Sequence, residues 1–248
     1  MRETRILMGM PITVEVVDNF ANEKEIDKIF SYFKSVDCKF STYKEASEIS
    51  LINKGVIKKE NFSSDMKEIF YLAEETRRLT SGYFDIRTPV GEYDPSGIVK
   101  GWAVYKAAHI FKKDGFKNFY IDAGGDIQTF GKNGNGKKWK VGIRNPFNVE
   151  EIIKIVELSG EGIATSGSYI RGDHIYNPNN RNHSTENVAS LTIIAPNVYE
   201  ADRFTTAAYA MGDKGVSFIE SLKDSEGYVV DNNSIATFTS NFEKYAKK

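Results

Sequence analysis

Between Asn118 and Pro196 one strand-like run follows another: "NFYIDAGGDIQTFG", "WKVGIRNP", "IIKIVELSGEGIATSG" and "VASLTIIAP", separated by turn-forming stretches such as "KNGNGKK". Helical patterns lie before and after this block instead of alternating with it. The absence of βαβ alternation excludes a doubly wound sheet and predicts an α+β fold, with antiparallel sheet and helices packed to one side. Upstream, "RILMGMPITVEVVD" reads as a strand, and "NEKEIDKIFSYFKSVDCKF" spaces Ile26, Ile29, Phe30, Phe33 and Val36 as a helix. "SSDMKEIFYLAEETRRLTSG" is a second helix, capped by serine and stopped at Ser81-Gly82, and "KGWAVYKAAHIFKKDG" a third. A fourth lies in "YEADRFTTAAYAMG" and a short fifth in "GVSFIESLKDS", and "EGYVVDNNSIATFTS" reads as a closing hairpin.

With 248 residues the chain can bury a large core, as one big domain or two interleaved lobes. A formal charge of −1 gives no reason to expect nucleic acid as partner. No apolar run approaches the ~18–20 residues that span a bilayer. "MRETRILMGMPITVEVV" passes from charged residues straight into a strand pattern, so a cytoplasmic home is the simplest expectation, although a chain trimmed of a leader would read alike. The single cysteine, Cys38, excludes an internal disulfide and a cysteine-built metal site.

The chemistry-bearing residues occur in separate short blocks. Asp202 and Thr206 stand at i and i+4 and share one helix face, an oxygen pair suited to a hard cation such as Mg²⁺. An Asp in a first helical turn also serves as a plain cap, and the two roles are compatible. "DPSGIVKGW" sets Asp94, a glycine-bearing turn and Lys100 at the head of a helix, a suitable place for an anion such as phosphate. In "IDAGGDIQTFG" paired glycines allow backbone to approach a ligand, or merely make a tight turn, and Asp126 can orient nearby amides. Tyr83-Phe84-Asp85 and Tyr43 offer aromatic surface beside polar groups, or simply a strand start and a rim tyrosine. Of three histidines, His174 in "GDHIYNP" has the setting most compatible with catalysis. No Walker sequence, HExxH or GxGxxG is present.

Taken in order, "LMGMPITV", "FSTYKEASEISLIN", "TSGYFDIRTPVG", "DPSGIVKGWAV", "AGGDIQTFG", "WKVGIRNP", "GIATSGSY", "HIYNP" and "ADRFTTAAYAMG" resemble the FAD:protein FMN transferases, the ApbE-like flavin transferases, from residue 7 to residue 212. The resemblance implies a T-fold-like α+β architecture with FAD bound between lobes. It implies Mg²⁺-dependent transfer of FMN from FAD to a threonine or serine hydroxyl of an acceptor protein, with release of AMP. Carried over by motif, the metal falls to Asp202, Thr206 and the Gly97 carbonyl. FAD contacts fall to Met8, Tyr43, Tyr83, Phe84, Asp85, Asp94, Lys100 and Ile175, with Lys100 also stabilising charge on the leaving AMP and His174 as candidate base. Only "GEY" separates two blocks that the family usually spaces further apart, and "HIYNPNNRN" carries Asn177 and Asn180 where Asp and Gly are usual, so a more open cavity is expected. FAD hydrolysis to FMN and AMP, and a non-catalytic flavin carrier, are the alternatives on the same residues.

Overall fold

The computed structural model describes residues 1–167, 177–179 and 187–247. Its strands are β1 (Arg2–Leu7), β2 (Met10–Val16), β3 (Phe119–Ala123), β4 (Asp126–Phe130), β5 (Trp139–Asn145), β6 (Asn148–Leu158), β7 (Gly162–Gly167), β8 (Val188–Ala195), β9 (Glu226–Asp231) and β10 (Ala236–Phe238). Eight of them form one sheet in the order β1-β2-β3-β4-β7-β8-β9-β10, antiparallel at each pairing, while β5 and β6 form a separate ribbon. The helices are α1 (Glu23–Phe40), α2 (Glu48–Asn53), α3 (Ser64–Leu79), α4 (Ser96–Lys113), α5 (Val198–Ala210) and α6 (Gly215–Ser221). The α+β reading therefore holds, and so does the closing hairpin of β9 and β10.

Two-residue turns set the register of the first half of the sheet. The stretch read as one strand, "RILMGMPITVEVVD", is two: Met8 and Gly9 both have positive φ (53° and 74°) and join β1 to β2, the backbone twist that a tight antiparallel hairpin needs. Gly124 and Gly125 (φ 59° and 100°) do the same between β3 and β4, pairing Ala123 with Asp126. The paired glycines thus make a hairpin turn that carries Asp126 into the interior.

The core follows from period. Strand β8 is buried along its whole length: Leu191, Ile193 and Ala195 pack with α5 and α6, whereas Ile194 faces the opposite way, toward the β5–β6 ribbon and Phe242. Helix α4 sits at the centre of the first half, burying Ile98, Val99, Trp102, Val104 and Phe111 among α1, α3 and the sheet. Its N-terminus lies four residues earlier than the pattern suggests, so Lys100 falls in the second turn and not at the head. Helix α2 was not legible as a helix. Its six residues are too few for a period to show, and it is held by the Ser47 cap and by burial of Ile49 and Ile52.

The contact that positions the site is between α4 and α5. A Cβ at Gly97 would lie 3.4 Å from the Thr206 methyl and 3.7 Å from its hydroxyl, and one at Gly101 would lie 2.5 Å from the Asp202 Cβ. Four residues forward on α4 match four residues back on α5, so the two helices run antiparallel in close contact across glycine. A Cβ at Gly101 would also meet the Val198 carbonyl at 2.8 Å, leaving no room for a methyl group without separating the helices. Gly101→Ala is expected to destabilise the protein by about 1–3 kcal/mol in urea unfolding, the usual range for overpacking. Gly134→Ala, where nothing lies within 4 Å, is the matched control and should leave the unfolding midpoint nearly unchanged.

Candidate functional site

β4 and β7 pair only at Ile127–Ile163 and Gln128–Gly162, and beyond Ile163 strand β7 stays with β8 alone. The sheet divides there. A cavity of about 790 Å³ fills the division, bordered by Thr165, Ser166 and Gly167 of β7, the turn at Gly124-Gly125, β5, and the facing parts of α4 and α5. Clefts where elements diverge are the usual home of a small-molecule ligand.

Asp202 and Thr206 both line this cavity, as do Gly97 and Lys100. The plain capping role for Asp202 is excluded: the α5 N-cap is Asn197, whose side chain accepts from the Glu200 amide at 3.0 Å, and Asp202 lies a turn further in. Its carboxylate is instead 5% exposed and accepts the Gly101 N–H at 2.7 Å. That amide is the regular helical donor to the Gly97 carbonyl, so the carboxylate competes for it, and the carbonyl retains acceptor capacity.

Asp126 stands opposite, 1% exposed, with Lys100 Nζ 2.9 Å from its Oδ2. That oxygen makes no hydrogen bond among the described residues, so the contact is an ion pair without hydrogen-bond alignment. Burial, and then the charge of Asp126, push the Asp202 carboxyl well above its usual range, while Lys100 and the Gly101 amide act against the shift. When both acids are ionised, two carboxylates beside one lysine leave an excess of negative charge, which burial opposes by favouring the neutral form of Asp202. A carboxylate, a hydroxyl and a carbonyl on this side of the cavity are hard oxygen donors, and Mg²⁺ is commonly held by one or two carboxylates together with substrate phosphates. The residues present fit such an ion.

The other sequence-derived site residues divide into three groups. Tyr83, Phe84, Asp85 and Asp94 line the cavity. Phe84 is buried against Gly97 and forms wall, while Asp85 and Asp94 each accept a nearby backbone amide, from Arg87 at 2.8 Å and from Ser96 at 2.9 Å. Met8 occupies the β1–β2 turn and packs on the core, its neighbours Gly9 and Met10 reaching the cavity in its place. Tyr43 is 97% exposed and is not among the cavity's lining residues. His174 and Ile175 lie outside the described residues.

Sequence reasoning missed Asp122, Lys140 and Arg144, which also border the cavity. Asp122 accepts the Gly125 amide at 2.8 Å and the Tyr120 hydroxyl at 3.1 Å, and burial raises its carboxyl despite both bonds. Lys140 and Arg144 stand on the exposed face of β5, whose alternation with Trp139, Val141 and Ile143 was the available signal.

The chain matches the ApbE family over residues 8–90 and 87–229. The chain belongs to the ApbE family. Among curated relatives it is 30% identical to the FAD:protein FMN transferase of Klebsiella pneumoniae over 153 residues, 54% of this chain and 44% of that protein. The chain thus spans less than half of that relative's length in the match. It is 23% identical to the FAD:protein FMN transferase of Haemophilus influenzae over 319 aligned positions, 98% of this chain and 92% of that protein. The flavin transferase ApbE of Vibrio cholerae shares its fold with a TM-score of 0.86 at 20% identity, covering 99% of this chain and 98% of the other. The apo flavinyl transferase ApbE of Pseudomonas stutzeri gives 0.86 at 20% identity, covering 100% and 97%. The ApbE fold is therefore shared over nearly the entire chain. Among the described residues, no helix is long and apolar enough to cross a membrane.

A raised carboxyl value means that the folded protein holds this proton more tightly than the unfolded chain. Ionising Asp202 therefore opposes folding as pH rises from the ordinary carboxylate range through its own shifted value. Asp202→Asn keeps the shape and removes the charge. In chelator at pH 8 it is expected to stabilise the protein by roughly 0.5–2 kcal/mol, the scale of stability that functional sites forgo. A melt in which the variant unfolds below wild type would show that the carboxylate supports the fold.

Proposed function

We propose that this chain transfers the FMN moiety of FAD to a threonine or serine hydroxyl of an acceptor protein, with Mg²⁺ held by Asp202, Thr206 and the Gly97 carbonyl. The observation that carries the reading is the convergence of these three positions with Lys100 on one cavity, in a chain of the ApbE family. The names of the Klebsiella and Haemophilus relatives supply the reaction class.

The acceptor oxygen forms a bond to the FMN phosphorus, the bond from that phosphorus to the AMP-side oxygen breaks, and AMP leaves with the electron pair. The hydroxyl proton passes to a base, assigned here to His174 from the sequence. When bound, the ion neutralises diphosphate charge that would otherwise repel the nucleophile. Lys100, buried along most of its stem beside Asp126, presents a cation to the charge that grows on the departing phosphate. Gly124 and Gly125 keep the β3–β4 turn low beside the cavity, and Tyr83 and Phe84 supply aromatic wall for a flat ring. In-line displacement of this kind requires mainly positioning and charge neutralisation, which are what these residues provide.

The test is incubation with FAD, Mg²⁺ and an unmodified protein known to be flavinylated on threonine, read by intact mass and nucleotide chromatography. The expected result is a gain of FMN on the acceptor with one AMP per transfer. Asp202→Ala should slow transfer by roughly 100-fold or more, since the lost charge stabilisation amounts to several kcal/mol. Free FMN and AMP formed equally without acceptor would replace transfer by hydrolysis, and FAD left intact under both conditions would leave only a carrier.

Thr206→Ser retains the hydroxyl and should keep most of the rate, whereas Thr206→Val should fall toward Asp202→Ala. Equal rates for the two Thr206 variants would remove the hydroxyl from the ligand set.

A further inference from the structure

We propose that Asp126 is a positioning residue for Lys100: by pairing with the lysine it keeps that cation off Asp202 and so leaves the Asp202 carboxylate open to a divalent ion. The inference rests on the metal site proposed above and concerns a residue outside the ligand set given there.

Around the helix contact two buried acids, Asp126 and Asp202, face Lys100, with Asp122 a third acid on the far side of Asp126, and the lysine can neutralise only one acid at short range. Lys100 immediately precedes Gly101, whose amide already touches Asp202 at 2.7 Å, and the lysine charge acts on that carboxyl. Asp202 is thus a competing partner for Lys100 within the same helix contact. A lysine seated on Asp202 would occupy the charge that the cation needs, and binding would then require its displacement.

Asp126 prevents this by being fixed. It is the first residue of β4, pinned by pairing with Ala123 across the Gly124-Gly125 turn, and it has almost no solvent exposure. Its Oδ2 has no aligned hydrogen-bond donor among the described residues, so the ion pair with Lys100 is what offsets the burial of that oxygen, while the Asp126 carboxyl also meets that of Asp202 side chain to side chain. A buried carboxylate so placed holds a lysine more firmly than one already supplied with a backbone amide, as Asp202 is. The same pairing aims Lys100 along the cavity wall, where it serves the phosphates.

The probe is Mn²⁺, titrated into the full chain with and without ADP and followed by loss of the free-ion paramagnetic resonance signal. ADP supplies a diphosphate with no FMN to transfer, so the reading is independent of activity. Asp126→Asn is expected to weaken Mn²⁺ binding by about 10-fold or more, the effect usual for groups that support metal ligands. In a Lys100→Met background the same substitution should change binding by less than about 3-fold, because the competing cation is gone. That background dependence is not produced by a general loss of packing, and melting curves in chelator report packing separately.

Unchanged Mn²⁺ binding in Asp126→Asn, or an equal loss in both backgrounds, overturns the inference. If Asp126→Asn fails to fold, Asp126→Ser in the same two backgrounds carries the same expectation. Asp202→Asn serves to separate the two levels. If it leaves Mn²⁺ binding intact, the metal site itself is misplaced. If it abolishes binding while Asp126→Asn does not weaken it, only the role of Asp126 fails.

Discussion

The approach of α4 to α5 across Gly97 and Gly101 governs the candidate site, because two helices can bring a backbone carbonyl, a hydroxyl and a carboxylate together only if no side chain stands between them. At Gly101 the Asp202 Cβ lies 2.5 Å from where a methyl group would be, and Asp202 takes the amide of that same glycine. Contact and hydrogen bond are one feature: the glycine admits the acid, and the acid closes on the glycine. Thr206 reaches Gly97 one turn away by the same antiparallel register. The helices are held in turn by the sheet, since the α5 N-terminal amide of Val198 is bound at 2.9 Å by Gln128 of β4.

Against this rigid contact lies an electrostatic conflict. Asp126 and Asp202 are buried near one another with Lys100 as the nearby base, and burial drives Asp202 toward its neutral form. A structure selected only for stability would place an amide or an apolar residue here, because buried acids are tolerated only when compensated. Carboxyl groups shifted in this way cluster at functional sites. The division of the sheet between β4 and β7 supplies the space, so the conflict borders a cavity large enough for a nucleotide and is not sealed within the core.

Much of this was legible in the residues. The helical spacing of Ile26, Ile29, Phe30 and Phe33, the serine cap before α3 and the hairpin around Asn232 all depend on neighbours within a few positions, and each appears as expected. Asp202 and Thr206 were legible for the same reason, as one helix face carries i and i+4 together. Lys100 was misplaced along its helix because Pro95 and Gly97 resemble a turn, and only the Asp94 carboxylate on the Ser96 amide shows that the helix has begun. Tyr43 reads as an aromatic beside a ligand, yet it stands in solvent.

The sequence alone determined the long helices, the antiparallel arrangement and the family, because periodicity, turn residues and ordered short blocks are properties of neighbouring positions; the short helix α2 and the division of β1 from β2 were not legible in it. Tertiary structure decided which acid faces which base. Asp126 and Asp202 are separated by the whole of β5 through β8, and nothing local to either records the other. Their meeting follows from a two-residue glycine turn on one side and a helix contact without Cβ atoms on the other, and those are consequences of packing.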